Sequence, residues 1–210
     1  MPEFTEAIAE IVDRRQSDIA LAKRAIQLSR TEEQKKLLRG SCVLLIYAAL
    51  EGGVRELTGQ LFEYINRRSE NVADLTEPFL CLALSAKCSL SNPVTDLGKQ
   101  QKLAYRIREA VNGRAQLPGS INTESNITPK VFTKICTSIG IENFLKNEDQ
   151  KDLNQLLRFR NNIAHGDQEM FIDSKRIDQF SKISQLILTK LAEEVHECYL
   201  GSNWLTKTST

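Results

Sequence analysis

Residues 43–65, VLLIYAALEGGVRELTGQLFEYI, decide the fold of this 210-residue chain. Apolar side chains recur here at intervals of three and four, at Val43, Ile46, Leu50, Val54, Leu57, Leu61 and Ile65. This spacing places them on one stripe of a helix. Upstream, Thr31 and Gln34 have the spacing of a capping box, which marks a helix start. We therefore predict a long core helix over about residues 31–66.

Three further amphipathic helices are predicted, over about residues 4–28, 148–164 and 173–199. Their apolar stripes comprise Phe4, Ile8, Ile11, Ile19, Ala22 and Ile26, then Leu153, Leu156, Leu157, Ile163 and Ala164, then Ile177, Phe180, Ile183, Ile187, Leu191, Val195 and Cys198. No stretch shows the period-two alternation that is typical of a half-buried strand. The sequence predicts an all-α fold, with the four long helices forming an up-down bundle.

The character of the sequence changes between residues 69 and 147. Shorter periodic pieces, around 75–88, 97–111 and 129–139, alternate with polar stretches that contain Pro and Gly. We interpret this region as a helical insertion between the second and third core helices. Residues 113–128 are predicted to be a mobile loop, and Thr128 with Pro129 is predicted to begin the next helix.

Length and composition favour one domain over residues 1–210, because the chain is too short for two comfortable cores. The net charge of +1 excludes a protein that coats nucleic acid indiscriminately, so any RNA contact must be local. The longest apolar run, residues 42–50, is shorter than the roughly 20 residues of a membrane-spanning helix. The N-terminus lacks a secretory signal, and we expect a cytoplasmic protein without membrane partners.

The five cysteines are scattered, which favours small core residues over a disulfide framework or a zinc site. The tail, residues 201–210, is predicted to be frayed. Within it, Trp204 docks either on the bundle or on a partner.

The stretch that bears on chemistry is residues 153–167, LNQLLRFRNNIAHGD. Arg160 stands where the helical spacing requires an apolar side chain. A charge at such a position is costly, so either it pairs with a carboxylate or its site opens onto an anionic ligand, and the two can coexist. The nearby Arg158 forms a local basic cluster with Arg160.

The end of this helix carries a histidine. Gly166 is suited to a left-handed turn that ends the helix, which leaves His165 at the last turn or at the cap. From a helix end its side chain can swing back toward the face of Arg160. An imidazole, with an ordinary pKa of about 6.5, can take or give a proton at cellular pH.

Residues 160–165, Arg-Asn-Asn-Ile-Ala-His, resemble the signature of the HEPN superfamily. Nucleases of that superfamily carry Arg, four to six residues and then His, usually with a polar residue directly after the Arg. Residues 45–51, LIYAALE, look like the corresponding helix of stand-alone HEPN nucleases of the MAE-like and RiboL-PSP-associated groups. The resemblance covers the helices around both stretches and leaves the middle insertion unaccounted for.

The resemblance implies a metal-independent endoribonuclease that needs no cofactor. Arg160 would hold the scissile phosphate, and His165 would move a proton at the ribose 2′-OH or at the leaving 5′-oxygen. HEPN nucleases are generally homodimers with a composite site, so a second copy of the chain is an expected partner beside the RNA substrate. The implied role is that of a toxin or phage-defence effector, with an antitoxin or regulatory protein as a possible further partner.

Four residues are expected to support or orient substrate: Tyr47, Glu51, Arg158 and Asn161. Glu51 is either the ion-pair partner of Arg160 or an edge carboxylate in water. Where HEPN toxins silenced by nucleotidyl transfer have a tyrosine two residues after the histidine, this chain has Asp167, which makes that control doubtful.

Two other classes of function remain open. The chain is alternatively a HEPN-like module that binds a nucleotide or RNA at Arg160 and His165 without cutting. In the other alternative it is a helical interaction protein, in which Arg160 is a buried ion-pair partner and His165 is a helix cap.

Overall fold

The computed structural model describes residues 2–88, 96–166 and 171–206, apart from the side chains of Pro2 and Ala86. In these residues it contains seven α-helices, α1 Pro2–Leu28, α2 Glu32–Arg68, α3 Glu77–Lys87, α4 Leu97–Val111, α5 Pro129–Ser138, α6 Asn147–Ala164 and α7 Ser174–Gly201, and a 3-10 helix, Val72–Asp74. No strand occurs in the described ranges, which contain two isolated backbone bridges. The predicted all-α fold is confirmed. Asp167 lies outside the described residues.

The ends of α2 follow from short-range chemistry. The Thr31 hydroxyl accepts a hydrogen bond from the Gln34 amide at 3.2 Å, as an N-cap residue should. The Gln34 side chain accepts from the Ser29 hydroxyl at 3.3 Å, so only the threonine half of the predicted capping box forms with these partners. At the other end Ser69 adopts a left-handed conformation, with φ of 53°, and stops the helix.

Helices α1, α2, α6 and α7 form an up-down-up-down bundle. The order of contacts along two of the helix pairs gives their relative directions. Helices α1 and α7 run antiparallel, with Thr5 bonded to His196 and Lys23 paired with Asp178. Helices α6 and α7 are also antiparallel, with Gln155 bonded to Arg176 and Asp152 bonded to Gln179.

Helix α2 is the centre of the core. It contacts α1, α6 and α7, and its predicted stripe from Val43 to Ile65 is fully buried. Burying each of these aliphatic side chains stabilises the fold by about 1.5–3 kcal/mol. Gly53 allows α7 to come close, because a Cβ atom there would overlap the Leu188 side chain.

Among the described helices, α2 is long and apolar enough to cross a membrane by length and composition. In this structure its apolar side chains pack against the other bundle helices. The central helix of a bundle has the same composition as such a span, so the pattern alone does not distinguish the two.

Residues 117–127, which we call the strap, lie along α2. At one end the Asn66 side chain makes two hydrogen bonds to the backbone of Leu117, at 2.7 and 3.1 Å. At the other end the Ile127 amide donates to the Tyr47 hydroxyl at 2.8 Å. Leu117, Ile121 and Ile127 are buried. Residues 113–128 were expected to form a mobile loop. That is wrong for the strap, because α2 side chains bond to its backbone and three of its apolar side chains are buried.

The beginning of the tail also packs on the bundle, so the prediction that residues 201–210 are frayed is wrong for residues 201–206. Trp204 is fully buried, with its ring 5.7 Å from that of Tyr64. The Thr76 amide donates to the Trp204 carbonyl at 2.8 Å. Of the two alternatives for Trp204, the structure shows docking on the chain's own bundle.

Four of the five cysteines, Cys42, Cys88, Cys136 and Cys198, are buried, and Cys81 is exposed. All five are free thiols, and the burial of four agrees with the prediction that most are small core residues. Burial raises the pKa of the Cys42 thiol to about 11 and those of Cys136 and Cys198 to about 12.

Candidate active site

The last turn of α6 places the two residues of the sequence motif. Gly166 has φ of +83° and is in the left-handed region, as predicted, so the helix ends there. His165 is the C-cap residue, and its amide donates to the Asn161 carbonyl at 3.0 Å. The His165 side chain is exposed to solvent.

The apolar stripe of α6 ends earlier than the spacing predicts. Leu153, Leu156 and Leu157 are buried, and Ile163 is partly buried against the core. Ala164 is exposed, contrary to its predicted place on the stripe. The two residues of the motif therefore lie where the bundle core meets solvent.

Arg160 is half-buried, and its guanidinium carbon lies 4.8 Å from the centre of the Tyr47 ring. Its Nη1 donates to Asn161 Oδ1 at 2.8 Å and to Asn126 Oδ1 at 3.2 Å. Both acceptors are neutral amides. In the described part of the chain no carboxylate oxygen lies within 4 Å of this guanidinium, so those residues leave its charge unneutralised.

Glu51 fits neither of the two alternatives drawn from the sequence. Its Oε1 accepts a hydrogen bond from the Thr123 hydroxyl at 2.7 Å, and the side chain is half-buried. It is neither in ion-pair contact with Arg160 nor an unpartnered carboxylate in water. The sequence could not reveal this, because Thr123 belongs to the strap and lies 72 residues away.

Burial raises the pKa of the Tyr47 phenol above its ordinary value. The charge of Glu51 acts in the same direction, while the hydrogen bond from the Ile127 amide and the charge of Arg160 act against it. Tyr47 therefore presents a neutral ring to the Arg160 guanidinium at cellular pH, and attraction between a cation and the ring face favours their contact.

The family comparison covers most of the chain. The family model described as RiboL-PSP-HEPN matches residues 10–198. The chain belongs to this family. No curated protein and no solved structure matches the chain. The family match supports the HEPN resemblance of the two quoted stretches, and it extends across the insertion.

The HEPN domain brings together some of the predicted supporting residues. Tyr47 and Asn161 contact Arg160 directly. Arg158 is exposed, and as it lies two residues before Arg160 on the same helix, it projects about 200° away around the axis. The structure therefore does not place Arg158 beside Arg160.

Two polar residues of the site were missed by the sequence interpretation: Asn126 and Thr123. Both lie on the strap, in a stretch without helical periodicity, so no local pattern indicated their position. The signal available in the sequence is indirect. Tyr47 and Glu51 carry polar groups on a largely apolar helix, and such groups need hydrogen-bond partners when buried.

A groove of about 770 Å³ lies between α1, α2 and the strap in this HEPN domain. It is lined in part by Arg14, Arg55, Glu56 and Gly119. Arg160 and His165 are not among its lining residues. The described residues contain no group of three or more His, Cys, Asp or Glu side chains that could hold a metal ion.

Proposed function

We propose that this RiboL-PSP-HEPN chain is a metal-independent endoribonuclease whose catalytic residues are Arg160 and His165. One observation carries the proposal: the half-buried Arg160 is held by neutral partners, Tyr47, Asn126 and Asn161. None of the carboxylates in the described ranges pairs with this guanidinium, so as far as those residues are concerned its charge is available to an anion. Arg160 lies five residues before His165, whose exposed imidazole is at the end of α6.

In this mechanism Arg160 binds the scissile phosphate. Its two hydrogen bonds to described residues both use Nη1, and Nε and Nη2 can form the paired donor fork that fits two phosphate oxygens. As O2′ attacks phosphorus, negative charge grows on these oxygens, and a fixed guanidinium stabilises the transition state more than the ground state. Asn161 and the Tyr47 ring orient the guanidinium for this role.

His165 moves the proton. The imidazole takes the proton from the ribose 2′-OH, the O2′–P bond forms and the P–O5′ bond breaks. A second, protonated imidazole gives its proton to the leaving 5′-oxygen, so the products are a 2′,3′-cyclic phosphate and a 5′-OH. DNA lacks the attacking hydroxyl and is not a substrate. In a monomer one His165 would have to serve both proton transfers. We therefore propose a homodimer, in which a second His165 completes the site.

The remaining predicted residues have indirect roles in the proposal. Glu51 acts through its hydrogen bond to Thr123, which fixes the strap beside the site. Arg158, exposed on the outer side of α6, is available only to a phosphate farther along the RNA strand. We further propose that the protein is a cytoplasmic toxin or phage-defence effector restrained by an antitoxin or regulatory protein.

The test uses purified protein and total RNA in the presence of EDTA. We expect cleavage with 2′,3′-cyclic phosphate ends, and a loss of at least about 100-fold in His165→Ala. His196→Ala is the matched control, because the chain has two histidines and His196 bonds to Thr5 on the α1–α7 side of the bundle. Cleavage that survives in His165→Ala contradicts the proposal, while RNA binding without cleavage indicates a binding module.

Two further measurements address assembly and biological role. Sedimentation should show a dimer, and a monomer that still cleaves RNA contradicts the composite site. Expression of the native chain should slow cell growth, whereas expression of His165→Ala at the same level should not. Equal growth of both strains contradicts the proposed role as a toxin.

A further inference from the structure

The strap connects the insertion to the proposed active site at three points. Its Thr123 hydroxyl donates to Glu51, its Ile127 amide donates to the Tyr47 hydroxyl, and the Asn126 side chain between them accepts from Arg160. Thr123 and Ile127 are buried, and Asn126 is half-buried. The insertion thus supplies two side chains, Asn126 and Thr123, to a site whose other residues come from α2 and from α6 with its cap.

The backbone immediately before Asn126 is strained. Glu124 and Ser125 have φ of 51° and 62°, and two successive residues other than glycine in the left-handed region are uncommon. The turn is held by hydrogen bonds on both sides, to Glu51 before it and to Tyr47 after it. Strain of this kind persists only where the surroundings fix the backbone, and it is concentrated at functional sites.

The effect of this turn is to present an amide oxygen to the Arg160 guanidinium. Asn126 Oδ1 and Asn161 Oδ1 both accept from the same Nη1 atom, at 3.2 and 2.8 Å. Two acceptors on one nitrogen limit rotation of the guanidinium above the Tyr47 ring. A carboxylate at either position would also limit rotation, but it would compete with phosphate for the charge.

We propose that Asn126 is a positioning residue of the nuclease site and that this role requires an uncharged hydrogen-bond acceptor. It fixes the orientation of Arg160 and leaves the positive charge available to the RNA phosphate. This inference rests on the proposed ribonuclease function. It assigns a role in that function to the insertion, through one side chain of the strap.

The test compares three single substitutions with the native chain. Asn126→Asp keeps the acceptor and adds a charge, while Asn126→Ala removes the acceptor. Asn122→Asp is the matched control, because it adds the same charge to the same strap, on an exposed side chain that bonds to the Glu124 amide. Three quantities are measured: kcat and KM for an RNA oligonucleotide, affinity for its non-cleavable 2′-O-methyl form, and rotation of the Arg160 guanidinium by NMR.

Asn126→Asp should bind the 2′-O-methyl oligonucleotide at least about tenfold more weakly than Asn122→Asp, while its guanidinium rotates as slowly as in the native chain. In Asn126→Ala the Arg160 guanidinium should rotate faster. This variant should lose mainly kcat, by about tenfold, because the transition state needs the guanidinium in a fixed orientation. If Asn126 only supports the fold as a hydrogen-bond acceptor, Asn126→Asp should bind the 2′-O-methyl oligonucleotide as tightly as the native chain does. Equal binding by Asn126→Asp and Asn122→Asp overturns the inference.

Failure of the underlying function gives a different result. If the native chain neither cleaves nor binds RNA, the ribonuclease proposal is wrong, and the NMR measurement alone decides whether Asn126 positions Arg160. Unchanged guanidinium rotation in Asn126→Ala would then overturn the positioning role, and faster rotation would support it.

Discussion

Tyr47 lies face-on to Arg160, with the guanidinium carbon 4.8 Å from the ring centre. The hydroxyl of the same side chain accepts a hydrogen bond from the Ile127 amide at 2.8 Å. One tyrosine therefore supports the candidate arginine through its face and holds the strap through its edge. These two contacts can be separated by substitution.

Tyr47→Phe keeps the ring under Arg160 and removes the acceptor of the Ile127 amide. Because this bond is buried, the orphaned amide should lower the free energy of unfolding by about 1–3 kcal/mol. Urea denaturation measures the change. Tyr105→Phe is the control, since that hydroxyl bonds to Glu109 on the surface and its loss should leave stability unchanged. If both variants are equally stable, water replaces the Tyr47 hydroxyl as the acceptor of the Ile127 amide, and the predicted loss is wrong.

Arg160→Lys keeps the positive charge but loses the planar donor fork and the stacking on Tyr47. We expect the kcat/KM for RNA to fall by at least about 100-fold, since Lys cannot bind two phosphate oxygens in the same fixed geometry. Arg158→Lys, on the exposed side of the same helix, should retain activity within about tenfold. Near-native cleavage by Arg160→Lys would mean that charge alone suffices.

Ser125→Gly tests the strained turn of the strap. Ser125 has φ of 62°, which glycine adopts without steric cost, so this substitution should stabilise the protein by about 0.5–1 kcal/mol. Ser120→Gly, in the same strap but without a positive φ, should instead destabilise it slightly, because glycine increases the entropy of the unfolded chain. Thermal unfolding measures the melting temperatures of the two variants against the native chain. Shifts of the same sign would contradict the claim that the turn at Ser125 is strained.

Trp204→Ala tests the docking of the tail. Trp204 is fully buried against Tyr64, and emptying such a site should cost about 3–5 kcal/mol of unfolding free energy. Leu200→Ala removes a side chain that is 60% exposed and should change stability by less than about 0.5 kcal/mol. If Trp204→Ala changes the free energy of unfolding only slightly, the tail does not unfold cooperatively with the bundle.

Thiol labelling at pH 8 should modify one of the five cysteines in the folded protein. Burial raises the pKa of Cys42 to about 11 and those of Cys136 and Cys198 to about 12, so at pH 8 these groups are neutral thiols and react slowly. Cys88 is buried, and Cys81 is exposed. Mass spectrometry should locate the label on Cys81, with all five modified after unfolding. Fast labelling of Cys198 would mean that the tail opens.

The sequence alone determined the helices and the position of the motif, because both depend on residues close together in the chain. The stripe of α2 fixed the central helix, Thr31 marks its start, and Gly166 ends α6 beside His165. The apolar spacing also showed that Arg160 replaces a core residue. These features follow from local periodicity and backbone preference.

Tertiary structure decided what surrounds Arg160. Asn126 reaches it from 34 residues away, and Thr123 bonds to Glu51 across 72 residues. In the sequence the strap looks like a free loop and residues 201–210 look like a frayed tail, since Gly, Pro and polar residues show no period. Their order comes from hydrogen-bonding groups and apolar surface on other elements, and such long-range partners leave no local pattern in the chain.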